Sequence, residues 1–397
     1  MKVLMFGWEF APIYSGGLGV ACAGLTKGLV KHNVHVTFVI PKKKRDIQTH
    51  VNLISAAEIM EKIKTICIDS PLNPYLSSTA YSKLAEGFSD SLYGQNLFEE
   101  VHRFSEAATE IAKQESFDLI HAHDWMTYKA GLNAKKVSGK PLIVHVHATE
   151  FDRTGGNGVN QHVYDIEREG MHLADKVITV SNYTKKMVEK HYGVSPDKIE
   201  VVHNAVDWDS HNVEAPKITE NDKIVLFLGR ITLQKGPDYF VEMAKKVSDI
   251  VPEAKFVVAG SGEMEARMIH RAAELGIGNK ILFAGFLKGD DIERAYKMAD
   301  VYVMPSVSEP FGITPLEAIK YGTPAIISKQ SGVSEILKNT IKVDFWDIDK
   351  MANVVAGILK YPKLKETISE EALKELRKIS WENSAKRCLE IYNQVIK

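Results

Sequence analysis

Short runs rich in Val, Ile, Leu and Phe alternate along this chain with longer segments whose apolar positions recur every three to four residues. The short runs predict strands over 2–8, 34–40, 117–123, 141–148, 176–181 and 199–203. A second series follows over 223–228, 254–259, 280–285, 301–304 and 324–328. Helices are predicted over 18–31, 97–113, 128–137, 159–173 and 183–191, then over 237–250, 263–275, 290–299 and 314–321. Helical periodicity dominates from 348 onward, and residues 381–396 are amphipathic. Strand–helix alternation of this kind predicts an α/β fold with parallel sheets covered on both faces. The pattern lapses at 204–219, where Asp207, Asp209, Asn212 and Pro216 replace any apolar period. We therefore expect two doubly wound domains in tandem, 1–205 and 220–378, with a linker over 206–219 and a terminal helix over 379–397. Residues 46–96 resist a periodic reading and are expected to form an acceptor-binding or mobile excursion.

Composition narrows the classes. A chain of 397 residues is long for one core, which agrees with two domains. Charged residues make up 25% and hydrophobic ones 45%, as in ordinary water-soluble proteins. A formal net charge of −1 argues against a nucleic-acid binder, which needs a basic excess. No apolar run approaches the roughly 20 residues of a membrane span. The first residues enter a strand directly, without the features of a signal peptide. Cys22, Cys67 and Cys388 are far apart and suggest neither disulfides nor a zinc pattern, so a cytoplasmic location is expected. The cluster Pro41-Lys42-Lys43-Lys44-Arg45 reads as a solvated loop, with peripheral contact to an anionic lipid as the sharper alternative.

Four stretches carry candidate chemistry, each just after a predicted strand. Ser15-Gly16-Gly17-Leu18-Gly19 opens the first helix, where glycines admit close backbone approach and free N–H groups favour an anion. Its spacing is not that of a dinucleotide fingerprint. Gly229-Arg230 through Lys235-Gly236-Pro237 sets a guanidinium fork and an ammonium on one loop, suited to phosphate oxygens without a metal. It is not a Walker loop, which needs Gly-Lys-Ser/Thr. Glu309-Pro310-Phe311-Gly312-Ile313-Thr314-Pro315-Leu316-Glu317 places one carboxylate on a loop and another on the helix that follows. Gly260-Ser261-Gly262 reads better as a turn than as a ligand contact.

Histidines form a further group. His145 and His147 alternate on one strand, and His121, His123 and Asp124 end the preceding one. A metal site can be imagined from them, but the sequence sets no ligand geometry. A hydrogen-bonding role toward a polar ligand is the more economical reading, and no metal is expected. Serine-hydrolase and zincin motifs are absent from the sequence.

With these residues in view, the chain resembles the retaining glycosyltransferases of the GT-B fold, two tandem Rossmann-like domains around a cleft, a group that includes glycogen and starch synthases. The most specific likeness is Gly229-Arg230 through Lys235-Gly236, followed by Glu309-Pro310-Phe311-Gly312 through Glu317. The resemblance implies that Gly16 and Gly17 approach the distal phosphate and donor sugar. Arg230 and Lys235 would bind the leaving diphosphate, and Glu309 the sugar hydroxyls. Main-chain groups of Phe311, Gly312, Ile313 and Thr314 would meet sugar and phosphates, Glu317 the ribose, and groups near Phe286 and Leu287 the base. His147 would be the cleft histidine at the reacting centre, and the terminal helix would cross back onto the first domain. No cofactor beyond the nucleotide-sugar donor is implied.

Within that group, Ser15-Gly16-Gly17-Leu18 and His121-Ala122-His123-Asp124-Trp125 lean toward glycogen synthase. Tyr14 and Ser15 stand where the synthases carry Lys-Thr, and His147-Ala148-Thr149-Glu150 where they carry His-Asn-Leu. The expected activity is thus transfer of a hexosyl, specifically glucosyl, group to a glycan acceptor. A cell-envelope or lipid-linked glycosyltransferase is the alternative. An epimerase on the same fold and a non-catalytic sugar-nucleotide binding module are readings from other classes.

Overall fold

The computed structural model describes residues 1–11, 16–41, 63–67, 97–208, 213–215 and 222–396. The first sheet is built from β1 (Lys2–Phe6), β2 (His35–Ile40), β3 (Ile63–Cys67), β4 (Leu119–His123), β5 (Leu142–Val146), β6 (Lys176–Thr179) and β7 (Ile199–Val201). Its helices are α1 (Gly17–Lys31), α2 (Leu97–Gln114), α3 (Trp125–Ser138), α4 (Glu150–Arg153), α5 (Gln161–Leu173) and α6 (Asn182–Tyr192). The second sheet comprises β8 (Lys223–Leu228), β9 (Ala254–Ala259), β10 (Ile281–Gly285), β11 (Val301–Met304), β12 (Ala325–Ser328) and β13 (Ile341–Val343). Between and after these strands come α7 (Pro237–Ile250), α8 (Glu265–Glu274), α9 (Asp290–Met298), α10 (Thr314–Lys320), α11 (Ile348–Lys360), α12 (Pro362–Leu376) and α13 (Trp381–Val395).

Both sheets are parallel and doubly wound. The strand orders are β3-β2-β1-β4-β5-β6-β7 and β10-β9-β8-β11-β12-β13. Every residue of β4, β5, β11 and β12 is buried, as expected for strands covered on both faces. Each sheet reverses its winding at one place, between β1 and β4 in the first and between β8 and β11 in the second. The crevice outside the carboxyl ends of such a pair is where ligands enter these sheets. The glycine, arginine–lysine and Glu309 motifs and Asp124 all follow one of these four strands, and His123 ends β4.

Three local differences from the sequence reading have physical causes. Helix α3 starts at Trp125, three residues earlier than expected, because the chain turns sharply out of β4 at the buried Asp124 (φ 61°), whose carbonyl accepts from Thr127 N–H at 3.0 Å. The segment before α5 holds the separate turn α4, cut off by Gly155, Gly156 and Gly158, all with positive φ (62°, 82° and 67°). Strand β13, three residues at the sheet edge, is too short to show a period. The expected excursion at 46–96 contains a regular element, β3, paired in parallel with β2. The rest of 46–96 before α2, the basic cluster at 42–45, residues 209–212 and 216–219 of the expected linker, and the next two residues lie outside the described residues.

Helix α13 joins the first sheet's core although it ends the chain. Trp381, Ala385, Cys388, Ile391 and Tyr392 pack with residues of β1, α1 and β4. The close approach depends on α1, where a Cβ on Gly24 would overlap the Trp381 indole and one on Gly28 the Trp381 carbonyl. Ser384 Oγ adds a 2.6 Å hydrogen bond to the His203 carbonyl, and Arg387 pairs with Glu200 at 2.7 Å.

Candidate active site

The second sheet supplies a charged wall. After β8 the chain turns through Arg230 and the short 3-10 turn Leu233–Lys235, and Gly236 enters α7 with φ 63°. Lys235 Nζ donates to Glu309 Oε2 at 2.6 Å. Ser306 Oγ donates to the same oxygen at 3.1 Å, and Glu309 is 5% exposed. Arg230 Nη2 donates to Gln234 Oε1 at 2.9 Å. The Gly260-Ser261-Gly262 stretch packs against the Arg230 loop. The Ser261 carbonyl accepts from Ile231 N–H at 2.9 Å, and a Cβ on Gly260 would overlap the Gly229 carbonyl.

The remaining predicted positions of this half fall along the same edge. Gly312 has φ 102°, which favours glycine, and leads through Ile313 into α10. Thr314 Oγ1 accepts from Tyr302 OH at 2.7 Å. Glu317, on α10, accepts from Tyr296 OH at 2.9 Å, and burial raises its pKa above the ordinary carboxylate value. A cavity of about 120 Å³ lies between Val20 of α1, Val206, and Ile313, Glu317 and Tyr321. The Phe311 ring is 3% exposed and packs within the core near His203. Phe286 and Leu287 follow β10, with Phe286 55% exposed and Lys288 Nζ 5.7 Å from its ring centroid.

The first sheet supplies the opposite wall. Gly16 and Gly17 open α1. A Cβ on Gly16 would overlap the Glu9 carboxylate, whereas one on Gly17 would meet open space. Glu9 was not singled out from the sequence. Its Oε2 accepts from Gly19 N–H at 3.0 Å, and it is 3% exposed. Burial pushes its pKa up to about 7, against the pull of the Gly19 N–H and of the Arg230 charge, while Asp124 pushes it further up. Arg230 therefore acts electrostatically on a residue of the opposite sheet. An acidic residue three positions beyond β1, just ahead of a glycine pair, was the available signal.

Asp124 holds the end of β5. Its Oδ1 accepts from His147 N–H at 2.7 Å and from Ala148 N–H at 3.2 Å. The residue has φ 61°, a left-handed value rare outside glycine, so the local backbone carries strain. Nε2 of the His147 ring lies 3.0 Å from His123 Nδ1. Burial lowers the His147 pKa to about 3, so the ring is neutral at neutral pH. Two sets of side chains have ligand atoms within 4.8 Å of one another, Cys22 with His123 and His147, and His121 with His123 and His145.

The two walls are bonded at one side. Ser308 Oγ donates to Asp152 Oδ1 at 2.6 Å, and Ser181 Oγ to the Pro310 carbonyl at 2.6 Å. The Glu335 carboxylate accepts from the N–H groups of Asn182 (2.9 Å) and Tyr183 (2.6 Å), at the start of α6. The arrangement is a closed cleft with cations, carboxylates and a neutral imidazole along its walls, suited to a polar ligand that carries an anionic group.

Comparison with known proteins agrees with this geometry. Residues 15–210 match the family model Glycosyltransferase Family 4, and residues 210–375 match Glycosyl transferases group 1. An uncharacterized glycosyltransferase of Methanocaldococcus jannaschii is 30% identical, over 99% of this chain and 98% of its own. A glycogen synthase of Mycobacterium tuberculosis is 24% identical, over 99% of this chain and 94% of its own. Among solved structures, sucrose-phosphate synthase from Thermosynechococcus elongatus superposes with a TM-score of 0.77 at 18% identity, covering 99% of this chain and 98% of that one. Two family models that together reach from Family 4 to group 1, and a relative that aligns end to end, place the chain among the group 1 glycosyltransferases, with the two-sheet GT-B fold.

Proposed function

We propose that this glycosyltransferase moves a glucosyl group from a nucleotide sugar to a glucan acceptor with retention of anomeric configuration, as a glycogen synthase does. The observation that carries the reading is the Lys235–Glu309 pair at 2.6 Å, beside Arg230 and facing the first sheet. A cation parked on a carboxylate can be exchanged. An arriving diphosphate takes Lys235, and Glu309 is released to accept from sugar hydroxyls. Arg230 adds a fork for the same phosphate oxygens. The whole-chain likeness to a glycogen synthase supports glucose and a glucan as the substrates.

The chemistry then runs as follows. The bond from the anomeric carbon to the diphosphate oxygen breaks, and positive charge builds on the sugar. Lys235 and Arg230 stabilise the departing diphosphate electrostatically. The acceptor hydroxyl attacks from the face the diphosphate is leaving, and its proton passes to a diphosphate oxygen. Neutral His147 offers a hydrogen bond to the sugar without adding charge. In this reading Glu317 would meet the ribose, Gly17 the phosphate and donor sugar, and groups near Phe286 and Leu287 the base. No divalent ion is required at the diphosphate, so turnover should be unchanged when Mg²⁺ and Mn²⁺ are left out of the assay.

The deciding experiment offers labelled ADP-glucose and UDP-glucose with soluble glycogen. Label is expected in the precipitated polysaccharide with one of them. Failure of both donors on glycogen, with incorporation from another nucleotide sugar or into a lipid-linked acceptor, would replace the glucan reading.

A further inference from the structure

Beneath His147, the first sheet carries a group of histidines with ring nitrogens that the glycosyl-transfer reading does not use. His121 and His123 alternate on β4, His145 lies on β5, and the sheet register sets His123 against His145. All three are at most 1% exposed. Their rings stack, with centroids 4.3 Å apart for His121–His123 and 5.3 Å apart for each of them with His145. Among the described residues, His121 Nε2, His123 Nε2 and both His145 ring nitrogens have no hydrogen-bond partner. A polar atom buried without a partner is costly. Four such atoms in one place call for a ligand.

The outer nitrogens show how that ligand would be held. His121 Nδ1 bonds Tyr392 OH at 2.7 Å, and His123 Nδ1 bonds His147 Nε2 at 3.0 Å. With hydrogens on both Nδ1 atoms, each of these two rings keeps an Nε2 lone pair free for a ligand. Metal-binding histidines use this division of labour, one nitrogen on the ion and the other anchored outside. We propose that His121, His123 and His145 bind a divalent transition-metal ion of intermediate softness, such as Zn²⁺, Co²⁺ or Ni²⁺. Their ligand atoms already lie within 4.8 Å of one another. The rings are inclined by only 8° to 29°, so binding turns them about their Cβ–Cγ bonds until the lone pairs converge at about 2.0–2.1 Å from the ion. Neutral imidazoles bring no negative charge. The Glu9 and Asp124 carboxylates, which act electrostatically on neighbouring Cys22, supply it.

The role that follows is positioning. The ion ties β4 to β5, and through the His123 hydrogen bond it sets the orientation of the His147 ring. Hard oxygen-seeking ions such as Mg²⁺ do not suit three imidazoles, so this site is distinct from any requirement for Mg²⁺ in transfer.

The test begins with the full chain carrying no histidine tag. Elemental analysis should find one equivalent of zinc or a similar metal per chain. After removal with a strong chelator, Zn²⁺ or Co²⁺ added alone should raise the melting temperature by 5 °C or more, and Co²⁺ should give a visible d–d band. His121→Gln and His145→Asn should abolish the equivalent and the shift. Metal-free wild-type protein whose melting does not respond to Zn²⁺, Co²⁺ or Ni²⁺ overturns the proposal, as does full metal content in folded His121→Gln or His145→Asn. Should these variants fail to fold, the wild-type titration decides alone.

Discussion

Lys235 and Glu309 were legible in the sequence as separate charges on two loops, and the fold joins them at 2.6 Å. Replacing Lys235 by Ala should lower kcat by about 10²–10³-fold, the scale of one lost stabilising group at a developing charge. It also leaves the buried Glu309 charge with Ser306 as its side-chain donor, so some stability is lost. Glu309→Gln added to Lys235→Ala should restore melting and leave turnover low. Recovery of turnover in the double variant would show that Lys235 acts only on the fold. Glu9 offers a different test. Its folded pKa of about 7 lies above the ordinary value of 4.5, so between those values the folded chain keeps a proton that the unfolded chain has lost. Stability from this group is full below pH 4.5 and falls as pH rises toward 7. Glu9→Gln should remove that slope and leave the variant more stable than the parent at pH 8, by up to about 3 kcal/mol. Urea unfolding at pH 5 and pH 8 measures it, and parallel profiles for the two proteins would refute it.

Among the elements, the α1–α13 contact decides how the chain's end is used. The amphipathic period of 381–396 was plain in the sequence, but its partner was not, because amphipathicity marks a buried face and not what buries it. The partner surface is made by what α1 lacks. Alanine at a mid-helix glycine ordinarily gains about 1 kcal/mol. At Gly28 the new methyl would meet the backbone carbonyl of Trp381, which cannot swing aside. Gly28→Ala should therefore lose net stability, by about 1–3 kcal/mol, and lower the melting temperature by several degrees. A melting temperature that stays level or rises would mean that α13 shifts freely on α1.

Over the whole molecule, the contact between the two sheets at Ser308, Pro310 and Glu335 is expected to set how closed the cleft is. Burial raises the pKa of Glu335, but the bonds from His203, Asn182 and Tyr183 outweigh it and hold the group below its ordinary value. Its contribution is present above the ordinary carboxylate pKa of 4.5 and is lost as pH falls through the lower folded value. Small-angle scattering should show the radius of gyration increasing as the pH falls through that range while the helical circular dichroism persists. Glu335→Gln should give an expanded form already at pH 7. A radius unchanged in the variant would place the closing energy at Ser308 and Pro310 instead.

The sequence by itself determined the two runs of strand and helix, the break between them, and the motifs at the strand ends. These are local properties, since period, glycine and charge are read within a few residues of one another. Only the tertiary structure could bring Arg230 to bear on Glu9, set Asp124 under the backbone of His147, lay α13 on α1, and stack His121, His123 and His145 with their nitrogens unpaired. Each of these joins residues through strand register, helix packing or the facing of two sheets. A hydrophobic pattern leaves open which neighbours these bring together.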